Sequence, residues 1–167
     1  INHPCNDSPK VKLETYDLRN VFKSAKQFSK CDLIFDITGG DSFSDIYGVK
    51  LFFVNYFIKM AVMLSKAKYI SAPQTYGPYY RWWIKQLSNI YLSKSKGIYG
   101  RDEMSGNSLN KNNQKRIKCV ADLGFALPFT QQAKFEKPTV GFNVNGLLYN
   151  SDNLLGKNNS YKKLCDN

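Results

Sequence analysis

The alternation of apolar and polar positions along the chain predicts strands and helices taking turns. Over 16–28, Leu18, Val21, Phe22, Ala25 and Phe28 fall on one face of a helix. The run "DLIFDIT" (32–38) reads as a strand that is apolar on both sides, and so as the central strand of a sheet. Residues 49–65 form an apolar helix with a thin polar stripe of Asn55, Lys59 and Lys66. "KYISAP" (68–73) is the next strand, and "QTYGPY" (74–79) is a turn broken by Gly77 and Pro78. A helix over 80–95 places Tyr80, Trp83, Ile84, Leu87, Ile90 and Tyr91 together. A short strand follows at 97–100, then a helix from 101 to 111 that Asp102 is placed to cap. "IKCVAD" (117–122) is a further strand, 127–138 has no periodicity, and "TVGFNVNG" (139–146) is the last strand.

Alternating strands and helices imply an α/β fold, with a parallel sheet covered by helices on both faces. In open sheets of this kind ligands bind outside the carboxyl ends of the strands. The glycines and polar residues gather at those ends, in "GGDSFSD" after 32–38, "APQTYGPY" after 68–72, "GRDEMS" after 97–99 and "ADLGFALP" after 117–121. Each loop also has a plainer reading. Gly39 and Gly40 can simply turn the chain, and Asp41 and Asp45 can cap it. Arg101 can pair with Asp102 or Glu103 at the surface, and Asp122 can cap a turn. Arginine is scarce, however: only Arg19, Arg81, Arg101 and Arg116 interrupt the use of lysine. At a strand-to-helix junction, the fork of Arg101 is suited to holding an anion.

Composition narrows the function. Of 167 residues, 43% are hydrophobic and 22% charged, which excludes a disordered chain. Lys and Arg number 24 against 13 acids, a net charge of +11. That balance favours anionic partners, or else marks a lysine-rich solvated surface. The dense basic patch "KNNQKRIK" (111–118) stands alone, so a nucleic-acid-binding module ranks last. Cys5, Cys31, Cys119 and Cys165 form no CxxC pair and His3 is the single histidine, so no zinc site is expected. Cys31 and Cys119, beside apolar strands, read as small core residues. The run 51–64 is too short to span a bilayer and carries Lys59, so the expected location is cytoplasmic, with at most peripheral contact at the inner face of a membrane. The opening "INHPCNDSPK", with no initiator Met, reads as the interior of a longer protein whose first strand precedes it.

Five pieces in order, "DLIFDITGGDSFSDIYG", "APQTYGPY", "GRDEMS", "VADLGFALP" and "VGFNVNGLL", resemble the polysaccharide pyruvyl transferase family from about Asp32 to Leu148. The resemblance implies one half of a GT-B-like pair of Rossmann-like domains. Residues 1–127 would be most of the N-terminal domain, 128–138 a linker, and 139–167 the start of the C-terminal domain. It implies transfer of the enolpyruvyl group of phosphoenolpyruvate to a saccharide acceptor, free or lipid-linked, without metal or organic cofactor. Arg101 matches the arginine of the family's "RD" motif and would contact the donor anion. Asp41 matches an acidic position in one branch and would act as base or sugar-hydroxyl acceptor. Gly39, Gly40, Ser42, Gln74, Tyr76, Gly77, Asp102 and Asn143 would line the cleft. The family's acid histidine and a further arginine lie in its C-terminal domain. His3 does not match that histidine, so this chain alone is expected to be inactive. A GT-B glycosyltransferase using a nucleotide sugar is the alternative, because fold does not fix function.

Overall fold

In a computed structural model, residues 20–38, 43–130, 137, 138, 140, 144, 149 and 160–166 are described. The chain divides into two compact units, Ile1–Pro128 and Phe129–Asn167. Within the second unit the helix Ser160–Asp166 (α6) is described, whereas the strand expected at 139–146 falls mostly outside the described residues.

The first unit is α/β. Strands β1 (Leu33–Asp36), β2 (Lys68–Gln74), β3 (Gly97–Gly100) and β4 (Ile117–Cys119) form one sheet in the order β1-β2-β3-β4. All three pairings are parallel, with Phe35 opposite Ile70, Ser71 opposite Ile98, and Tyr99 opposite Lys118. The helices are α1 (Val21–Phe28), α2 (Val49–Ser65), α3 (Trp82–Lys94), α4 (Glu103–Ser108) and the four-residue α5 (Lys111–Gln114). The expected helix over 80–95 is thus α3, and Asp102 caps α4 by accepting the Ser105 N–H.

Strand order explains the layering. Connections of one hand that always step to the next strand place their helices on the same side of the sheet. Accordingly α1 packs on α2, α2 on α3, and α3 on α5. The core lies beneath them: Phe43, Phe52, Tyr56, Val62, Tyr69, Tyr76, Ile84, Tyr91, Leu92, Ile98 and Leu109. Coverage on both faces does not follow. Among the described residues the opposite face is open, with a shallow hollow of about 530 Å³ over Phe35, Ile70, Ala72, Tyr99 and Val120. Nor is the strand at 32–38 central among these residues. It pairs with β2 alone at one end of the sheet, and Leu33, Phe35 and Ile37 are exposed.

Other expectations are corrected as well. Phe22, Tyr80 and Ile90 are exposed, not core-facing. Cys31 and Cys119 are exposed too, since one lies in the turn after α1 and the other on the end strand β4. The polar stripe of α2 includes Lys59. Its side chain is wholly buried, its ammonium 2.5 Å from Asp36 Oδ2. It also donates to the Thr38 carbonyl at 3.2 Å, and it stands 4.4 Å from the Phe43 ring centroid and 5.0 Å from that of Tyr91. The Tyr91 hydroxyl donates to the same Asp36 oxygen at 2.6 Å. At Lys59 the stripe on α2 is polar because it faces a carboxylate on the sheet.

Burial opposes charge on both partners. For Asp36, burial alone would raise the carboxyl pKa. The Coulombic pull and hydrogen bond of Lys59, the Tyr91 hydroxyl and the Thr38 N–H outweigh it and hold the pKa below the usual 3.8. For Lys59, burial outweighs the attraction of Asp36 and lowers the ammonium pKa. Removing one partner strands the other. Lys59→Met should therefore destabilise the fold by about 3–5 kcal/mol in urea titrations. Lys59→Met with Asp36→Leu should recover most of that loss, and simple additivity would refute the coupling. Because the native Asp36 pKa lies below the unfolded one, its stabilisation is present above pH 3.8 and is lost as pH falls through the native value. The thermal midpoint should drop steeply below about pH 4 in the native chain and less steeply in the double variant. Equal slopes would exclude Asp36 as a source of the acid sensitivity.

Candidate functional site

The loops at the carboxyl ends of β1 and β2 are fastened to each other. Phe43 bridges to Tyr76 in parallel, and the Gly77 N–H donates to the Phe43 carbonyl at 3.3 Å. The Ser44 hydroxyl donates to the Pro78 carbonyl at 2.6 Å. Asp45, buried, accepts the backbone N–H of Tyr80 at 2.8 Å and of Arg81 at 3.1 Å, plus the Arg81 guanidinium at 3.1 Å. These N–H groups lead into α3, where a carboxylate both satisfies orphan donors and complements the helix dipole. In "GGDSFSD", then, Phe43, Ser44 and Asp45 build the scaffold.

Gly77 has a reason of its own. Its φ is +76°, and a Cβ there would lie 2.6 Å from Ser108 Oγ. No side chain is accommodated without displacing α4. The Gly77–Pro78 peptide is cis.

At the ends of β2, β3 and β4 a polar cluster converges. Arg101 Nε donates to Thr75 Oγ1 at 2.8 Å, and Thr75 Oγ1 donates to Asp102 Oδ2 at 2.8 Å. Arg101 Nη1 donates to Asp122 Oδ2 at 2.8 Å. Asp102 Oδ1 accepts from the Ser105 N–H at 2.7 Å and from the Ser105 hydroxyl at 2.9 Å. The Ser105 oxygen in turn accepts the Tyr76 N–H at 2.9 Å. Burial would raise the Asp102 pKa, but the Thr75 and Ser105 donors and Arg101 lower it. Asp122 is lowered by the Gly124 N–H and by Arg101. Both carboxylates are therefore ionised at neutral pH. Beside this cluster is a depression of about 400 Å³, lined by Thr75, Gly77, Pro78, Asp102, Met104 and Asn107 among others. It offers a ligand hydroxyls, an amide and a carboxylate over an apolar floor, which suits a polyhydroxylated molecule.

Of the residues expected at the site, the structure brings together Arg101, Asp102, Tyr76 and Gly77. Tyr76 reaches the wall of the depression but is 1% exposed. Its phenol shares a hydrogen bond with Ser71 and donates to the Tyr99 carbonyl, and burial raises its pKa. Gln74 is wholly interior, its amide donating to Ser71 Oγ at 2.7 Å while Oε1 has no protein partner. These two residues form the support beneath the loop more than its ligand-facing surface. Gly39, Gly40, Asp41, Ser42 and Asn143 lie outside the described residues. Sequence reasoning passed over Thr75 and treated Asp122 as a turn residue only. Period-two alternation from the buried Gln74 and Tyr76 was the available signal for Thr75. Arg116, one of the four arginines, donates to the Leu92, Ser93 and Ser95 carbonyls at the end of α3. No group of three His, Cys, Asp or Glu residues suited to a metal ion occurs among the described residues. Among them too, no helix is long and apolar enough to cross a membrane.

A parallel α/β sheet with its polar residues gathered at the strand ends defines the class as Rossmann-like. The family model for polysaccharide pyruvyl transferase matches residues 2–166, and the chain belongs to that family. No significant match was found among curated proteins or among solved structures.

Proposed function

We propose that this chain contributes to transfer of the enolpyruvyl group of phosphoenolpyruvate onto two hydroxyls of a saccharide, giving a pyruvate ketal. The observation that carries this reading is the placement of Arg101 at the carboxyl end of β3, oriented by Thr75 beside a depression suited to a sugar, in a member of this family. In the reaction two sugar oxygens bond to C2 of the donor and the C2–O bond to phosphate breaks. One hydroxyl proton ends on the methylene carbon, which becomes methyl, and the other leaves with phosphate.

The donor is a compact, multiply charged anion, and a guanidinium supplies charge-assisted hydrogen bonds to it. Arg101 takes that role. Asp41, with Gly39, Gly40 and Ser42, takes the acceptor side, as general base or as acceptor of a sugar hydroxyl. Asn143 is a further candidate for substrate contact, and the reaction uses no metal or organic cofactor. A nucleotide sugar consumed in place of phosphoenolpyruvate would favour the glycosyltransferase alternative.

Phosphate release from phosphoenolpyruvate in the presence of saccharide acceptors, assayed in a form of the protein that carries the family's C-terminal histidine and arginine, tests the reading. Arg101→Ala should cost about 2–5 kcal/mol, expressed chiefly as weaker donor binding. Unchanged turnover and unchanged apparent donor affinity would overturn it. We further propose a cytoplasmic enzyme that meets a lipid-linked acceptor through its lysine-rich surface, given the net charge of +11. The protein should wash off anionic membranes at high salt. Retention after such a wash would exclude a purely electrostatic contact.

A further inference from the structure

We infer that Asp122 sets the anion affinity of Arg101, by occupying the guanidinium until a multiply charged anion replaces it. The inference rests on the reading of Arg101 as the donor-binding residue.

Arginine has five N–H donors in a fixed plane. Here Nε is engaged by Thr75 and one Nη1 proton by Asp122. Nη2 has no partner among the described residues. The guanidinium is therefore oriented but not saturated. Its two neighbouring carboxylates differ in how firmly they are held. Asp102 has three short hydrogen bonds from Thr75 and Ser105, and it caps α4. Releasing it would unmake the strand-to-helix junction. Asp122 makes one bond to the exposed Gly124 N–H through Oδ1, at 2.8 Å. Its other oxygen serves Arg101 alone, and the two side chains are 39% and 30% exposed. A solvent-exposed ion pair of this kind is weak and opens readily. Asp122 is the carboxylate that yields.

Charge then decides which ligand can displace it. Arg101, Asp102 and Asp122 together carry one positive and two negative charges. A singly charged carboxylate gains little by exchanging with Asp122, since it brings the same charge and pays for its own ordering. A phosphate-bearing anion brings more charge and more acceptor oxygens, and so out-competes the internal carboxylate. Asp122 thereby weakens every small anion at Arg101, and a phosphate-bearing anion still binds because it starts from the stronger intrinsic contact.

The test is calorimetric titration of the full chain with inorganic phosphate and, separately, with pyruvate. Asp122→Asn keeps the shape while removing the competing charge. It should bind phosphate about three- to tenfold more tightly, as expected for deleting one like charge near a partly exposed site. Pyruvate should also bind more tightly, by a smaller factor because it carries less charge. If Asp122→Asn does not fold, Asp122→Ser retains an acceptor for the Gly124 N–H and carries the same expectation. Arg101→Ala is the companion arm. Phosphate binding lost in Arg101→Ala, yet unchanged or weakened in both Asp122 variants, would overturn the inference while leaving the donor role of Arg101 standing. Phosphate binding unchanged in Arg101→Ala would overturn both.

Discussion

The arrangement of the first unit depends on one buried charge pair. Lys59 lies in the middle of α2, between residues that otherwise face the core, and its ammonium is wholly enclosed. Two charges in a low-dielectric interior repel solvent loss so strongly that only close pairing and full hydrogen bonding make them tolerable. Asp36, Thr38, Phe43 and Tyr91 provide that pairing together. They come from the end of β1, the residue two beyond it, the loop past that, and α3. The pair consequently fixes several elements at once. Slipping β1 by one residue would turn Asp36 to the open face and leave Lys59 uncompensated, so the ion pair specifies strand register more than it adds stability.

That specification reaches the strand ends. With β1 pinned, Phe43 is held against Tyr76, and Ser44 and Asp45 fall within reach of the segment 78–81. Asp45 then fixes the start of α3, while Arg116 closes its far end. The next loop is fixed the same way, with Ser105 joining the Tyr76 N–H to Asp102. Polar side chains in these loops mostly bind backbone. The segments are thereby held without a regular ladder, as a scaffold for a site at the sheet's edge requires.

Much of this was legible in the sequence, and the exceptions share a cause. Local signals worked: the Asp102 cap, the breakers Gly77 and Pro78, and the strand at 97–100 all depend on neighbours in the chain. What failed depends on partners far away. Lys59 reads only as part of a polar stripe, because nothing near it in sequence reveals Asp36, 23 residues earlier. "LIFDI" reads as central because it is apolar on both sides, but among the described residues it pairs with β2 alone. Cys31 and Cys119 look like core residues by type, and their place at a turn and an end strand exposes them. At the site, Arg101 was legible as a rare arginine at a junction. Its contacts with Thr75 and Asp122, 26 and 21 residues away, required the fold.

The three aspartates at the ends of β1, β3 and β4 form a gradient. Asp36 at β1 is buried, shared among Lys59, Tyr91 and Thr38, and is not free to move. Asp102 after β3 is partly buried and locked by a helix start and a threonine. Asp122 after β4 is open to solvent and holds little beyond a turn and one guanidinium. The same side chain is structural at one edge of the sheet and exchangeable at the other, because burial raises the penalty for leaving a carboxylate unpaired. Chemistry that must bind and release a charged molecule on each turnover belongs at the exchangeable end. The deep end supplies the rigidity against which that exchange can occur.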